Sequence, residues 1–169
     1  MPPDSFHIRP LRHEDLGAVL RVQAACYGPA MQEPAAIVQA RVEQAGDTAF
    51  AAVLGGSVCG YLFAYRSLLG KVTPLGGEFA PATGPDTLYL HDLAVSPRAA
   101  GLGIARALAQ HAGALARREA LAWCALVSVQ DSQAFWERLG FQAASCDGPD
   151  ARAALAGYPP VALYMARRA

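Results

Sequence analysis

The 169-residue chain has no excess of charge of either sign: 14 Lys and Arg stand against 14 Asp and Glu, and Lys71 is its single lysine. Nucleic-acid affinity comes mainly from clustered positive charge, so scattered arginines in a neutral chain argue against a nucleic-acid partner. Long hydrophobic runs are also missing. The longest strongly apolar stretch, residues 120–127, falls far short of the roughly 20 residues that a membrane-spanning helix needs. The opening M-P-P-D-S-F-H has neither the charged nor the apolar region of a secretory signal. The expectation is a cytoplasmic protein with no membrane partner. Cysteine is scarce: Cys26, Cys59, Cys124 and Cys146 are far apart, with no C-x-x-C pair. That excludes the common zinc and dithiol redox patterns and leaves ordinary reduced thiols, with no metal expected. Cys124 sits in a very apolar segment, where burial should raise its pKa and make it inert.

What the chain does have is core-forming material: 53% of its residues are hydrophobic, enough for a sizeable core in one domain covering residues 1–169. Residues 6–11 alternate as a first strand, with Pro10 marking an edge. His13, Glu14 and Asp15 put acids at the start of a helix that carries Leu16, Val19, Leu20 and Val22 on one side and runs to about Cys26. A second helix over about 33–45 presents Ile37, Ala40 and Val42. Strands over 48–54 and 58–66 are joined by Gly55, Gly56 and Ser57, a hairpin signal. Residues 68–86 are rich in Gly and Pro without periodicity. A connection that long either covers a binding site or is a tolerated surface insertion. A strand over 87–95 and a turn over 96–103 lead into a long helix with Ile104, Leu108, Ala112 and Leu115 on one face. Then come a strand over 121–129, a short helix over about 131–139 closed by Gly140, a strand from Phe141, a loop with Gly148-Pro149 and Pro159-Pro160, and a last strand over 161–166. The order β-α-α-β-β-β-α-β-α-β-β is that of one α/β domain.

The most informative stretch is L-Y-L-H-D-L-A-V-S-P-R-A-A-G-L-G-I-A, residues 88–105, where a strand passes through a glycine-bearing turn into a helix. The first N–H groups of such a helix lack intrahelical partners and sit at the positive end of its dipole, so small residues there make a pyrophosphate site. A tight turn with no ligand is the plain structural alternative. Two familiar phosphate loops fail. A dinucleotide fingerprint would need glycine where Arg106 stands, and Gly70-Lys71 is followed by Val72 rather than Ser or Thr.

The run V-S-P-R-A-A-G-L-G-I-A, followed by R-A-L, resembles the acetyl-CoA-binding motif of the GNAT N-acetyltransferases, V-x-P then R-G-x-G-x-G/A and a helix. S-Q-A-F-W-E-R-L-G-F, residues 132–141, resembles that family's second signature. The resemblance implies a mixed, mostly antiparallel sheet of six to seven strands with helices on both faces. It also implies a V-shaped splay between the fourth and fifth strands. Counted from Val95 and Pro97, the family's Arg or Gln falls on Ala100, and Gly103 and Ala105 take the two small positions. A register on Arg98, Gly101 and Gly103 also satisfies the pattern, but starts the helix two residues out. In either register the backbone N–H groups of Gly101, Leu102, Gly103, Ile104, Ala105 and Arg106 would hold the pyrophosphate, with Arg98 supplying charge nearby. Leu93, Ala94 and Val95 would meet the pantetheine arm in sheet fashion, with Trp123 or Cys124 on the other side. Trp136 takes the cofactor-lining position at which many family members have a tyrosine that protonates the CoA thiolate. An indole cannot act as that acid, which leaves water or a residue such as Tyr89.

The resemblance also implies direct passage of acetyl from sulfur to a primary amine. An amine of pKa about 10 must first lose a proton, at about 4 kcal/mol at pH 7, and histidine is the natural base. His91 stands on the strand before the turn, with Tyr89 and Leu93 on its face. Y-L-H-D-L-A-V resembles H-L-H-A-L-A-V of the arylalkylamine N-acetyltransferase branch, where the histidine matching His91 helps relay the amine proton. A lone strand histidine is otherwise more often structural. Asp92 points to the opposite face, as an orienting or arginine-pairing group. Tyr27, Met31 and Phe63 are candidates either for an acceptor pocket or for plain core. Three readings follow: an acetyl-CoA-dependent N-acetyltransferase of small amines, a protein N-acetyltransferase, and a non-catalytic acyl-CoA-binding module. Family habit gives a monomer or homodimer.

Overall fold

The computed structural model describes residues 5–169, so the opening M-P-P-D read above for a signal lies outside the described residues. The elements are β1 (Phe6–Pro10), a 3-10 turn (His13–Asp15), α1 (Leu16–Cys26), α2 (Ala35–Ala45), β2 (Ala49–Leu54), β3 (Ser57–Ser67) and β4 (Thr87–Val95). They continue as α3 (Ile104–Arg118), β5 (Trp123–Ser128), α4 (Gln133–Glu137), β6 (Gln142–Ala143), α5 (Gly148–Ala156) and β7 (Leu163–Arg168). The seven strands form one mixed sheet in the order β1-β2-β3-β4-β5-β7-β6. Antiparallel neighbours include β1 with β2, β2 with β3, and β7 with both β5 and β6, while β4 and β5 run parallel. The expected fold class is borne out, and β4 and α3 have the expected bounds. Among the described residues no helix is long and apolar enough to cross a membrane.

The chain packs as two compact units. One comprises the described residues through Ala64 together with Asp92–His111; the other comprises Tyr65–His91 and Ala112–Ala169. In the first, β2 and β3 are buried on both faces, with Phe50 paired to Leu62 and so on the opposite face from Tyr61 and Phe63, and Val19 and Val22 of α1 and Ile104 and Leu108 of α3 are buried too. The close approach of β3 to the turn after β4 depends on Gly60. A Cβ there would lie 3.1 Å from the Ala94 carbonyl oxygen and 3.3 Å from a methyl of Ile104. In the second, Leu88, Leu90, Leu115, Leu126, Phe141 and Met165 are buried, and β5 with its neighbour β7 forms the spine from Trp123↔Arg168 to Ser128↔Leu163.

Three departures from the sequence expectations have physical causes. Gly148-Pro149 does not break the chain but starts α5: proline sits in the first turn, where its fixed φ suits a helix, and Asp150 follows in that turn. The inward residues of α2 are Val38, Arg41 and Ala45 rather than Ile37, Ala40 and Val42. The Arg41 guanidinium is buried and grips the Glu33 carboxylate through both nitrogens, NH2 at 2.6 Å from Oε2. Gln23 of α1, also buried, exchanges two hydrogen bonds with the Glu33 backbone at 3.0 and 3.1 Å. A charged residue thus occupies the inward face, and apolar periodicity cannot find it. Finally, residues 68–86 are not a loose insertion: Val72, Thr73 and Phe79 are buried, and the segment bonds to Arg66 O and Ser67 O at 3.1 Å each.

Removing one member of a buried ion pair leaves an uncompensated charge in a low-dielectric site. Arg41→Ala is therefore expected to lower the free energy of unfolding by about 3–5 kcal/mol. Urea denaturation followed by circular dichroism measures it.

Candidate active site

The turn after β4 decides which backbone donors face outward. Pro97 to Ala99 form a 3-10 turn in which the Ser96 hydroxyl accepts from Arg98 N–H, at a long 3.4 Å. The Ala99 and Ala100 N–H groups donate to Ser96 O and Pro97 O at 2.9 and 3.2 Å. Donors 98–100 are thus used inside the turn. Gly101 and Gly103 then adopt φ of +81° and +76°, and nothing lies within 4 Å of where a Cβ would stand on either. Such φ values disfavour any residue with a Cβ. The Ala107 N–H donates to Gly103 O at 3.0 Å and opens the ladder of α3, so the preceding N–H groups lack intrahelical acceptors. With α3 beginning at Ile104, the register that puts Ala100 at the family's Arg or Gln position is the one whose helix start agrees. The turn can hold an anion on the N–H groups of residues 101–106, beside the exposed Arg106 side chain. Arg98 lines a cavity whose walls include none of those six residues.

Upstream, the registered pairs of β4 with β5 run from Thr87↔Trp123 to Leu90↔Leu126 and stop, while β4 continues to Val95. Ser96 N–H donates to Cys59 O of β3 at 2.7 Å. By strand alternation, Leu93 and Val95 direct their backbone groups to the edge away from β3. Their carbonyls accept from the end of α1 and the residue after it: Tyr27 hydroxyl to Leu93 O at 3.1 Å, Cys26 thiol to Val95 O at 3.2 Å. Ala94 between them is buried.

Asp92 meets two tyrosines. Its two oxygens accept from two phenols, Tyr27 on Oδ1 and Tyr61 on Oδ2, both at 2.8 Å. Burial, and then the adjacent carboxylate, push both phenols well above their ordinary value. Tyr27 is therefore committed to this carboxylate, and Phe63 is core at 1% exposure. No sequence pattern joins residues this far apart.

His91 lies in an aromatic nest. Phe79 meets it edge to face with centroids 5.4 Å apart, and Tyr89 lies tilted at 6.2 Å. Tyr65 stacks on Phe79 at 4.6 Å and is hydrogen-bonded to Thr73 Oγ1 through its hydroxyl. His91 is half-buried, whereas Tyr89 is 0% exposed, and burial pushes the Tyr89 phenol well up. Tyr89 thus shares the face of His91 as expected but does not present its hydroxyl as a ready acid, because burial makes its anion unfavourable. Trp136 is buried, with Phe135 and Phe141 set edge to face at 4.9 and 5.4 Å. Cys124 is buried and its thiol is raised by burial. After β5, the consecutive residues Gln130 and Asp131 both hold left-handed φ, 51° and 55°, an uncommon pairing for non-glycine residues that the sequence did not announce.

Comparison with known proteins places the chain. The acetyltransferase (GNAT) family matches residues 16–141, and the chain belongs to that family. No curated protein sequence matches. Among solved structures, the chain is similar to the PaiA N-acetyltransferase from Thermoplasma acidophilum in complex with coenzyme A. That pair shares 14% identity, a TM-score of 0.69 and coverage of 98% of this chain and 99% of that one. It is similar to the ribosomal-protein-S18-alanine N-acetyltransferase from Escherichia coli, with 18% identity, TM-score 0.67 and coverage of 97% and 94%. It is also similar to a GNAT family acetyltransferase from Brucella melitensis in complex with acetyl-CoA, with 23% identity, TM-score 0.60 and coverage of 87% and 91%. These likenesses are likenesses of fold.

The raised phenols make an alkaline prediction. Above pH 10, the ordinary tyrosine value, unfolded chains lose phenolic protons that Tyr27, Tyr61 and Tyr89 keep when folded. The folded state then binds more protons, so stability falls as pH rises. Tyrosinate absorbance at 295 nm is expected to lag behind that of free tyrosine and to rise with loss of circular dichroism.

Proposed function

We propose that this GNAT family member transfers acetyl from acetyl-CoA directly to the primary amine of a small molecule. The observation that carries the cofactor half of the reading is the turn after β4. Donors 98–100 are used within it, no turn acceptor takes the N–H groups of Gly101, Leu102, Gly103, Ile104, Ala105 and Arg106, and the space beside the two left-handed glycines is open. The pyrophosphate fits that cradle. The edge of β4 at Leu93 and Val95, past the last registered pair with β5, suits the amide groups of the pantetheine arm. The carbonyls already bonded to Tyr27 and Cys26 each have a second lone pair for this.

Acetyl-CoA supplies a thioester carbonyl carbon open to attack by an amine. His91, on the same strand, is the base: its imidazole takes the proton from the incoming ammonium, directly or through water, and passes it to solvent. Phe79 and Tyr89 hold the ring by contact and leave it half-buried. As the amine nitrogen bonds to the carbonyl carbon the C–S bond would break, and coenzyme A would leave as the thiolate, taking its proton from solvent water, since Trp136 has no acidic proton and Tyr89 is wholly buried with a raised phenol. The small-molecule acceptor is supported by the segment over 68–86. It carries Phe79 onto His91 and is anchored by Gly70 N–H to the Tyr164 hydroxyl at 2.8 Å. An ordered aromatic cover over the base suits a compact amine better than an extended peptide.

Calorimetric titration with acetyl-CoA, followed by free-thiol release across an amine panel, tests this reading. Binding with release for one class of small amine is the expected result. Binding without release from any small amine points to a protein acceptor or a non-catalytic module, and absence of binding removes the cofactor assignment. Gly103→Glu puts a side chain and a negative charge at φ +76° in the cradle and is expected to weaken acetyl-CoA binding at least tenfold. His91→Ala is expected to lower turnover about 100-fold or more and to move the pH optimum upward, with acetyl-CoA affinity unchanged. An unaltered pH–rate profile removes His91 as the base.

A further inference from the structure

A second cavity, of about 540 Å³, opens beside α1. The face of α1 formed by Ala18, Arg21, Val22 and Ala25 makes one wall. The β2–β3 hairpin at Leu54, Ser57, Val58 and Cys59 makes another, and Ser96, Arg98 and Ala99 close it. All of these residues belong to one compact unit. The volume lies within the range of small-molecule sites, about 300–1,000 Å³.

Its chemistry is lopsided. Two arginines, Arg21 and Arg98, are among its lining residues, and its walls contain no Asp or Glu. Elsewhere, Arg9, Arg12, Arg41 and Arg66 pair with Asp15, Glu14, Glu33 and Glu119. Among the described residues Arg21 and Arg98 have no carboxylate partner. Two hydroxyls, Ser57 and Ser96, add neutral donors, and Ser96 uses only its acceptor side within the turn. The Cys59 thiol donates to Ala52 O at 3.4 Å and is raised by burial, so it is lining rather than nucleophile. The remainder of the wall, Val22, Leu54, Val58 and three alanines, is apolar. In a chain of zero net charge, two unpaired guanidiniums in one concavity concentrate positive potential.

We propose that this cavity binds a small organic phosphate monoester, separately from acetyl-CoA. Two guanidiniums and two hydroxyls match a dianion with three terminal oxygens, for which the planar guanidinium fork is well suited. The apolar wall takes the ester carbon group, which inorganic phosphate lacks. The cavity walls include none of the 101–106 donors and none of Leu93, Ala94 or Val95, so the assignment stands whether or not the acetyl-transfer reading does.

Calorimetry with phenyl phosphate at low salt is the test, with inorganic phosphate and benzoate as comparisons. Phenyl phosphate is expected to bind at least tenfold tighter than either. Arg21→Ala and Arg98→Ala are each expected to weaken it tenfold or more, and Arg21→Glu to abolish it. Saturating coenzyme A is expected not to displace it, and Arg21→Ala to keep wild-type acetyl-CoA affinity. No phenyl phosphate binding, undiminished binding in the arginine variants, or displacement by coenzyme A overturns the proposal. Equal affinity for inorganic phosphate and phenyl phosphate overturns the ester assignment. Because acetyl-CoA binding is measured on the same samples, failure here is distinguishable from failure of the acetyl-transfer reading.

Discussion

One carboxylate holds the working strand in place. Asp92 accepts a hydrogen bond on each oxygen, from Tyr61 of β3 and from Tyr27 just past α1, and Tyr27 also reaches Leu93 O. A half-buried carboxylate is costly unless its lone pairs are satisfied, and here two phenols satisfy them. The arrangement fixes the end of α1 against β4 immediately before the cofactor turn. Burial raises both phenols, and the carboxylate raises them further.

The cofactor turn shows how an electrically neutral chain can hold a polyanion. Little side-chain charge is needed when backbone dipoles point one way, as at the start of α3. The local economy of hydrogen bonds makes this possible: the 3-10 turn at Pro97–Ala99 satisfies its own donors, and the glycines after it turn the next ones outward. Gly60 on β3 lets that turn approach closely. Each feature is small, and together they leave one set of donors without an internal partner.

Apolar contact packs the half-buried His91 ring. Phe79, Tyr65 and Tyr89 surround the face of β4 that carries His91, and the long connection before β4 exists in ordered form because Phe79, Val72 and Thr73 are buried in its unit.

Local signals settled much of this protein in the sequence. The bounds of β4 and α3, the buried stripe Ile104, Leu108, Ala112 and Leu115, and the glycine turn between them follow from alternation, helical periodicity and small residues at a strand-to-helix step. These are properties of neighbours along the chain. Only the tertiary structure decided the rest. Arg41 turned inward because Glu33, outside the helix, could neutralise it, and Gly148-Pro149 started a helix instead of lying in a loop. Asp92 found two tyrosines, Tyr89 disappeared into the core, and Arg21 met Arg98 across a cavity. In each case but the helix start, the deciding energy is a pairing or a desolvation between residues that are not neighbours in sequence. No pattern along the chain records which of them will meet.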